Sequence, residues 1–473
     1  MIFVEIISNI LFILALGYYF MTNMQWYSYR LERVLFHHSK TWWHLVYFLV
    51  PLFAYFILSK FNLSIVATIL YIGMLYKWRE EQDKPLIFTG RVKRFFASLT
   101  FFTVFVIMLT AGMEYQSFAV IIPLFLAYLT SAMMEKMLFK GFEMKAEKRL
   151  DTMPNMVVIG VTASYGKTSI KNYIAHILSA KYKTYATPRS VNTFGGVLKD
   201  INEDLPSDTE VYVVEMGARG AGDIREISKF VNPHLVIVGK IGPAHIEYFG
   251  SLENIRNTKM EILSSDRLKE AWVHDSAMVK PEKIVHGFGK EISNIRATLD
   301  GLDFEMDNRE YHANILGSFN AMNIVAAIKV AKALDMDDET IDKQLATLEP
   351  TAHRLQRMDA GGKVIIDDSF NGNIDGMLEG FNLSSTYEGR KVLITPGLVE
   401  VDDTFNIQVA KRANEVFDVV VVTGDLNYEL FKQYIDEDKL VKLESKDKMQ
   451  EMLVEETRVG DLILFANDAP SFI

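Results

Sequence analysis

Five stretches in the first 140 residues carry no charged residue apart from Glu5: roughly Ile2 to Met21, Trp43 to Ser59, Leu63 to Tyr76, Phe95 to Met113 and Phe118 to Met134. A helix needs about 20 apolar residues to cross a bilayer, so the pattern predicts about five transmembrane helices, the third of them short. The polar joints alternate. Arg30, Arg33 and Lys40 follow the first run, Lys60 alone follows the second, and Lys77, Arg79, Lys84, Arg91, Lys93 and Arg94 follow the third. Glu114-Tyr115-Gln116 follows the fourth without a cation, and Lys136, Lys140, Lys145, Lys148 and Arg149 follow the fifth. Basic joints face the cytoplasm, which puts the N-terminus outside and everything after about residue 140 in the cytoplasm. A buried or re-entrant hairpin made of the second and third runs leaves the same final side. No basic segment precedes the first run and four more runs follow, so a cleaved signal peptide is not expected.

After Arg149 the pattern changes to short apolar runs alternating with helical spacing. "NMVVIGVTA" is a β-branched run entering a turn, and "KTSIKNYIAHILSAKY" has apolar residues at Ile170, Ile174 and Ile177 to Leu178, one face of a helix. "EVYVVEMG", "LVIVGKIG", "KVIIDDSF", "KVLITPG" and "DVVVVTG" read as further strands. This alternation predicts parallel sheets, which place ligands at the carboxyl ends of their strands. Glu349-Pro350 marks a boundary. The expected organisation is a transmembrane region over 1–145, a nucleotide-binding α/β domain over 146–349 and a Rossmann-like α/β domain over 350–473.

Composition removes several alternatives. None of the 473 residues is cysteine, which excludes disulfides, thiolate catalysis and cysteine-ligated metal. The net charge of -10, without any nucleic-acid-binding motif, gives no reason to expect nucleic acid as a partner.

The stretch "GVTASYGKTS" joins the first of these strands to its helix. A strict phosphate-binding loop reads G-x-x-x-x-G-K-[ST], and Val161 stands where the first glycine belongs. The chemistry depends more on the strand-turn-helix context, which offers backbone N–H groups and a helix N-terminus to phosphate. Lys167 then suits the β/γ-phosphate oxygens and Thr168 suits Mg2+.

That loop and the segments "SVNTFGG", "VVEMGARGAGDI", "IGPAHIEYFGSLENIRNTKMEIL", "GSFNAMNIVAAI", "DDSFNGN" and "GDLILFANDAP" resemble the Mur ligase family, specifically its D-alanyl-D-alanine-adding branch. The resemblance spans about 150 to 473 in order. It does not reach residues 1 to 149, where a membrane region stands in place of the family's usual N-terminal domain. The family's loop, roughly T-G-x-x-G-K-T-[ST], is matched at Thr162, Gly166, Lys167, Thr168 and Ser169, with Ser164 inside the loop and Ala163 in place of the first glycine. By resemblance these residues bind ATP.

Other roles are implied by the same resemblance. Glu215 would bind Mg2+, although alone it reads equally as a solvated acid ending a strand. His245 would help hold a second Mg2+, and Lys259 would be carbamylated by CO2 and so become an anionic metal ligand. Without the resemblance, His245 reads as structural and Lys259 as a solvated helix face. Asn320 and Asn323 would meet adenine, or else serve as helix caps. Arg354 would meet the nucleotide phosphates, with His353 standing where glycine is common. Asp368, Ser369, Asn371 and Asn373 would belong to a loop closing over ATP and the amine substrate, and Asn192 would approach the acyl substrate.

The resemblance thus implies an ATP-dependent amide ligase of peptidoglycan-precursor synthesis, and the apolar runs with their alternating basic joints imply that it is multi-pass in a bacterial cytoplasmic membrane. It would join D-alanyl-D-alanine to UDP-N-acetylmuramoyl-tripeptide through an acyl phosphate, with two Mg2+ ions, near other cell-wall enzymes. The alternatives are a membrane-tethered ligase of the same fold acting on another carboxylate, and an ATP-driven transporter or membrane scaffold. The near absence of charge within the spans speaks against transport.

Overall fold

The computed structural model describes the chain apart from residues 1, 28, 37–39, 81, 83–84, 111–119, 244–245, 371–373, 400–402 and 468–473. It forms two compact units, Met1–Met144 and Lys145–Ile473.

The first unit is helical. Among the described residues, four helices are long and apolar enough to cross a membrane: Phe3–Trp26, Trp42–Ser59, Gly90–Thr110 and Ile121–Asp151, the last continuing past the unit's end. The third apolar run forms a helix too, Ser64–Glu80, whose 17 residues lie at the short end of the about 17–25 that a span takes. Pro51 lacks the N–H that an α-turn would donate to the Tyr47 carbonyl. The helix widens to a π-turn over Leu45–Leu49, and the Tyr71 hydroxyl donates to that carbonyl at 2.8 Å. Other polar side chains are likewise paired inside the bundle, Ser8 with Thr68 at 2.8 Å and Tyr55 with Asn9, as an apolar surround demands. Gly17 lets the first helix approach the Gly90–Thr110 helix, since a Cβ there would collide with Leu99.

The second unit begins with a six-stranded parallel sheet: β1 (Val157–Thr162), β2 (Thr184–Ala186), β3 (Val211–Glu215), β4 (Leu235–Val238), β5 (Glu270–His274) and β6 (Val285–Phe288), ordered β2-β3-β1-β4-β5-β6. β1, β3 and β4 are buried almost throughout, as strands covered on both faces must be. β1 lies between β3 and β4, with Val161 opposite Glu215 and Thr162 opposite Val238. The helices Lys167–Leu178 and Asn320–Ala333 share one apolar core with this sheet. A small antiparallel sheet, β7 (Ile292–Thr298), β8 (Gly301–Met306) and β9 (Arg309–Ala313), adds Phe304 and Tyr311 to that core.

A second six-stranded sheet follows: β10 (Gln356–Ala360), β11 (Lys363–Asp368), β12 (Lys391–Thr395), β13 (Val419–Thr423), β14 (Leu440–Leu443) and β15 (Leu462–Ala466). Its order is β10-β11-β15-β12-β13-β14, and only β10 runs antiparallel to its neighbour. Each strand read from the sequence lies within one of the two sheets, and the fold is the α/β arrangement expected of a Mur ligase.

Candidate active site

The site is built at the carboxyl ends of β1 and β3. β1 delivers the chain into the turn Ala163 to Gly166, and the helix Lys167–Leu178 starts at once. Gly166 has φ 79°, a left-handed conformation that glycine adopts without penalty. A side chain there would also meet the Asn323 amide oxygen at 2.6 Å. Ala163 takes no positive φ, so its methyl does not disturb the turn. The methyl faces Gly239, just beyond β4, where an added Cβ would come within 3.0 Å of the Ala163 Cβ and 2.7 Å of Ile170 Cδ1.

Lys167 Nζ donates to the carbonyls of Ala163 at 2.9 Å and Ser164 at 3.1 Å. Thr168, at the first turn of the helix, donates its hydroxyl to Glu215 Oε2 at 3.0 Å. The other oxygen of that carboxylate accepts from Asn192 Nδ2 at 2.9 Å. Glu215 is 1% exposed, so it ends its strand inside the protein and not as a solvated acid. Asn192 is fixed in turn by Gly217, whose N–H donates to the Asn192 carbonyl at 2.7 Å.

Lys259 lies on the helix Leu252–Met260 and is buried, with no hydrogen bond or ion pair to its amine among the described residues. Burial, with the charge of Lys167 acting in the same direction, pulls the amine down to about 7; Glu215 and Asp223 oppose this. Two residues further on, Glu261 accepts from the N–H groups of Gly222 at 2.8 Å and Arg225 at 3.2 Å, capping the helix Asp223–Val231.

Thr351, Arg354 and Asp368 bring the second sheet's side of the site to the loop. Thr351 donates to Ser169 at 3.4 Å. Arg354 is held below its usual value by burial, against the attraction of Asp368 and Glu215. Asp368 accepts from the Leu355 N–H at 3.2 Å, and burial pushes its carboxyl up to about 7 although Arg354 draws it down. His353 has φ 62°, and its ring pairs with the buried Asp367 at 2.7 Å, an interaction that offsets the strain of a left-handed non-glycine residue.

The structure therefore gathers Gly166, Lys167, Thr168, Asn192, Glu215, Lys259, Arg354 and Asp368 around one carboxylate and one loop. Several other candidates stand behind it. Thr162 is fully buried and donates to the Met216 carbonyl at 2.8 Å, while Ser164 donates to the Gly242 carbonyl at 3.0 Å. Asn320 donates to the Leu316 carbonyl at 2.7 Å and accepts from Asn323 at 2.9 Å and from Tyr173 at 3.2 Å. Those two amides are committed to protein partners beneath the loop in this structure. His245, Asn371 and Asn373 lie outside the described residues.

Sequence reading missed Lys171, one turn beyond Lys167, because a helical lysine is ordinarily solvated. Its side chain is 1% exposed and sits 3.5 Å from Glu215 Oε2. The spacing of four from Lys167 was the available signal, since it puts both cations on one helix face.

Among the described residues no group of three or more acidic or histidine side chains is placed to hold a metal ion by itself. One hydroxyl and one carboxylate, Thr168 and Glu215, suit Mg2+, which keeps several waters and takes remaining ligands from phosphate.

Comparison with known proteins agrees with this geometry. Residues 161–331 match the Mur ligase middle domain. The UDP-N-acetylmuramoyl-tripeptide–D-alanyl-D-alanine ligase of Bacillus subtilis is 28% identical over 332 residues, 65% of this chain and 72% of the relative. The ligase of the same name from Synechocystis is 29% identical over 51% of this chain and 55% of its own length. The chain thus spans between about half and three quarters of the curated relatives it matches. A D-alanyl-D-alanyl ligase structure from Acinetobacter baumannii shares the fold at TM-score 0.62 and 23% identity, over 69% of this chain and 76% of that one. The Thermotoga maritima MurF ligase in complex with ADP does so at TM-score 0.58 and 24% identity, over 69% and 80%. With a middle-domain match over residues 161–331, the motifs in order and a shared fold around the phosphate loop, the chain is similar to the Mur ligases in sequence and in architecture.

Proposed function

We propose that this protein uses ATP to join the carboxylate of UDP-N-acetylmuramoyl-tripeptide to the amine of D-alanyl-D-alanine, releasing ADP and phosphate. The observation that carries the reading is Glu215: a buried carboxylate bonded on one oxygen to Thr168 of the phosphate loop and on the other to Asn192. It ties the nucleotide side of the site to the acyl-substrate side, in a chain whose curated relatives are named for this ligation.

A carboxylate is a poor acyl donor. Phosphorylation converts it to an acyl phosphate, which the amine attacks as phosphate leaves. Lys167, already at the loop, would swing from the Ala163 and Ser164 carbonyls onto the β/γ-phosphate oxygens. Mg2+ held by Thr168 and Glu215 would neutralise charge on the transferring phosphoryl group. Arg354 would bind phosphate from the other side, and the segment that begins at Asp368 and includes Asn371 and Asn373 would cover the amine substrate and exclude water. Adenine contact by Asn320 and Asn323 would require their present hydrogen bonds to rearrange.

Lys259 would carry a carbamate and, with His245, hold a second Mg2+. Carbamate formation needs a neutral amine. At about 7 the Lys259 amine is roughly half neutral at neutral pH, whereas an ordinary lysine is neutral to less than about 0.1%. The two sheets of the second unit would act as separate domains meeting near Pro350, with closure between them completing the site. The apolar helices would anchor the ligase in the cytoplasmic membrane, N-terminus outside, near the enzymes that use its product.

The test is ADP release by purified full-length protein with Mg2+. Release that requires both the UDP-tripeptide and D-alanyl-D-alanine is expected. Release indifferent to D-alanyl-D-alanine would overturn the reading.

A further inference from the structure

Lys171 is the most deeply buried cation beside the site, and no catalytic role above uses it. Its ammonium meets oxygens from two chain segments. Nζ donates to the Thr187 carbonyl at 2.6 Å and to the Arg189 carbonyl, and lies 3.5 Å from Glu215 Oε2. Thr187 completes a loop of contacts, because its hydroxyl accepts from the Glu215 N–H at 3.1 Å. Arg189 has φ 48°, a left-handed conformation that costs a non-glycine residue about 1–3 kcal/mol and persists only where the surroundings enforce it. Three residues beyond that turn stands Asn192, hydrogen-bonded to the carboxylate oxygen that Thr168 does not hold.

We propose that Lys171 is a positioning residue that locks the turn from Thr187 to Asn192 against Glu215, so that the divalent-cation site and the acyl-substrate contact are set by one buried charge. The proposal rests on the ligase reading above and deepens it. Lys171 acts from behind Glu215, through the carbonyls of Thr187 and Arg189. It holds the Glu215 carboxylate in the orientation that presents one edge to Thr168 and the other to Asn192. A buried carboxylate without a countercharge is unfavourable, so removing the ammonium leaves Glu215 to find another arrangement. Because Asn192 shares that carboxylate and follows the turn that Lys171 clamps, both ligand sites shift together.

The experiment uses the full-length chain, Lys171→Met and Lys171→Arg. Calorimetry measures ADP binding with and without Mg2+, and kinetics separate the Michaelis constants of the UDP-tripeptide and D-alanyl-D-alanine. In Lys171→Met, the Mg2+ concentration for half-maximal ADP binding and the Michaelis constant for the UDP-tripeptide should each rise about tenfold. Metal-free ADP binding and the Michaelis constant for D-alanyl-D-alanine should stay unchanged. Lys171→Arg, which keeps the cation, should recover part of both losses, and it is compared directly with wild type if Lys171→Met does not fold. A folded Lys171→Met with wild-type Mg2+ and UDP-tripeptide dependence overturns the proposal. So does a folded Lys171→Arg that recovers neither dependence. Wild-type protein that binds no ADP defeats the ligase reading itself, and that result is visible before any variant is made.

Discussion

Asn323 fills the space that a side chain on Gly166 would need, its amide oxygen 2.6 Å from the position of a Cβ there. The phosphate loop is therefore fixed from behind by the helix Asn320–Ala333, and its one left-handed residue has no room to change.

Gly166→Ala should consequently lose ADP binding and about 1–3 kcal/mol of stability, the cost of forcing a non-glycine residue into that conformation against a packed neighbour. Calorimetry and thermal melting check both, and wild-type ADP affinity in the variant would refute the account of the loop.

Lys167→Ala should keep the fold, because the ammonium bonds only to carbonyls of its own loop, which water can satisfy. Ligation should drop by at least about 100-fold, the usual effect of removing a preorganised charge from a transition state. Turnover near wild type would remove Lys167 from the chemistry.

Lys259→Ala should lose most activity, and short carboxylic acids should restore part of it by supplying an anionic ligand. In the wild type, the neutral amine needed for carbamate is lost as pH falls through about 7, so activity should decline there and decline further when CO2 is stripped from the buffer. Activity insensitive to CO2, together with no rescue, would leave Lys259 as a plain buried amine.

His234 gives the second unit a defined acid sensitivity. Its Nδ1 accepts from the Val158 N–H at 3.0 Å and must be unprotonated to do so. Burial, aided by Arg267 and Lys269, lowers it to about 4 from 6.5. The folded state therefore resists a proton that the unfolded chain takes up below 6.5, and stability is lost as pH falls from about 6.5 towards 4. The ring is only partly buried, so after screening the loss is about 1 kcal/mol. Denaturant titrations at pH 7 and 4.5 should show wild type losing that much more than His234→Gln; parallel losses would contradict the assignment.

A fragment starting at Lys145 should fold and bind ADP, since that unit carries its own cores and all the described site residues. The Michaelis constant for the UDP-tripeptide, measured in fragment and full-length protein, tests whether the helical unit only anchors. A fragment that hydrolyses ATP but cannot be saturated with that substrate would show that the helical unit contributes to binding it.

Six of the parallel strands, β1, β3, β4, β11, β12 and β13, were legible because their burial leaves unbroken apolar runs, as in "VYVVE", and Glu215 drew notice as the acid that ends one; β2, β5, β6, β14 and β15 were not read as strands. β7 was not legible: its residues are mostly exposed, and a bulge between Ser293 and Arg296 breaks its alternation. Lys171 was invisible for a different reason. Nothing local distinguishes a buried lysine from a solvated one, because its oxygen partners lie at Thr187, Arg189 and Glu215, 16 to 44 residues away. Asn320 and Asn323 were noticed for the right spacing, but the sequence does not say that Tyr173 and Leu316 occupy their amides.

The pairing of Ala163 with Gly239 changes what the unusual loop means. The methyl that Ala163 places after β1 occupies room that Gly239 leaves after β4, so the two neighbouring strand ends pack as one unit. A side chain at 239 would press on Ala163 and Ile170 together, so the shape of the nucleotide loop is held as much by the end of β4 as by the loop's own residues.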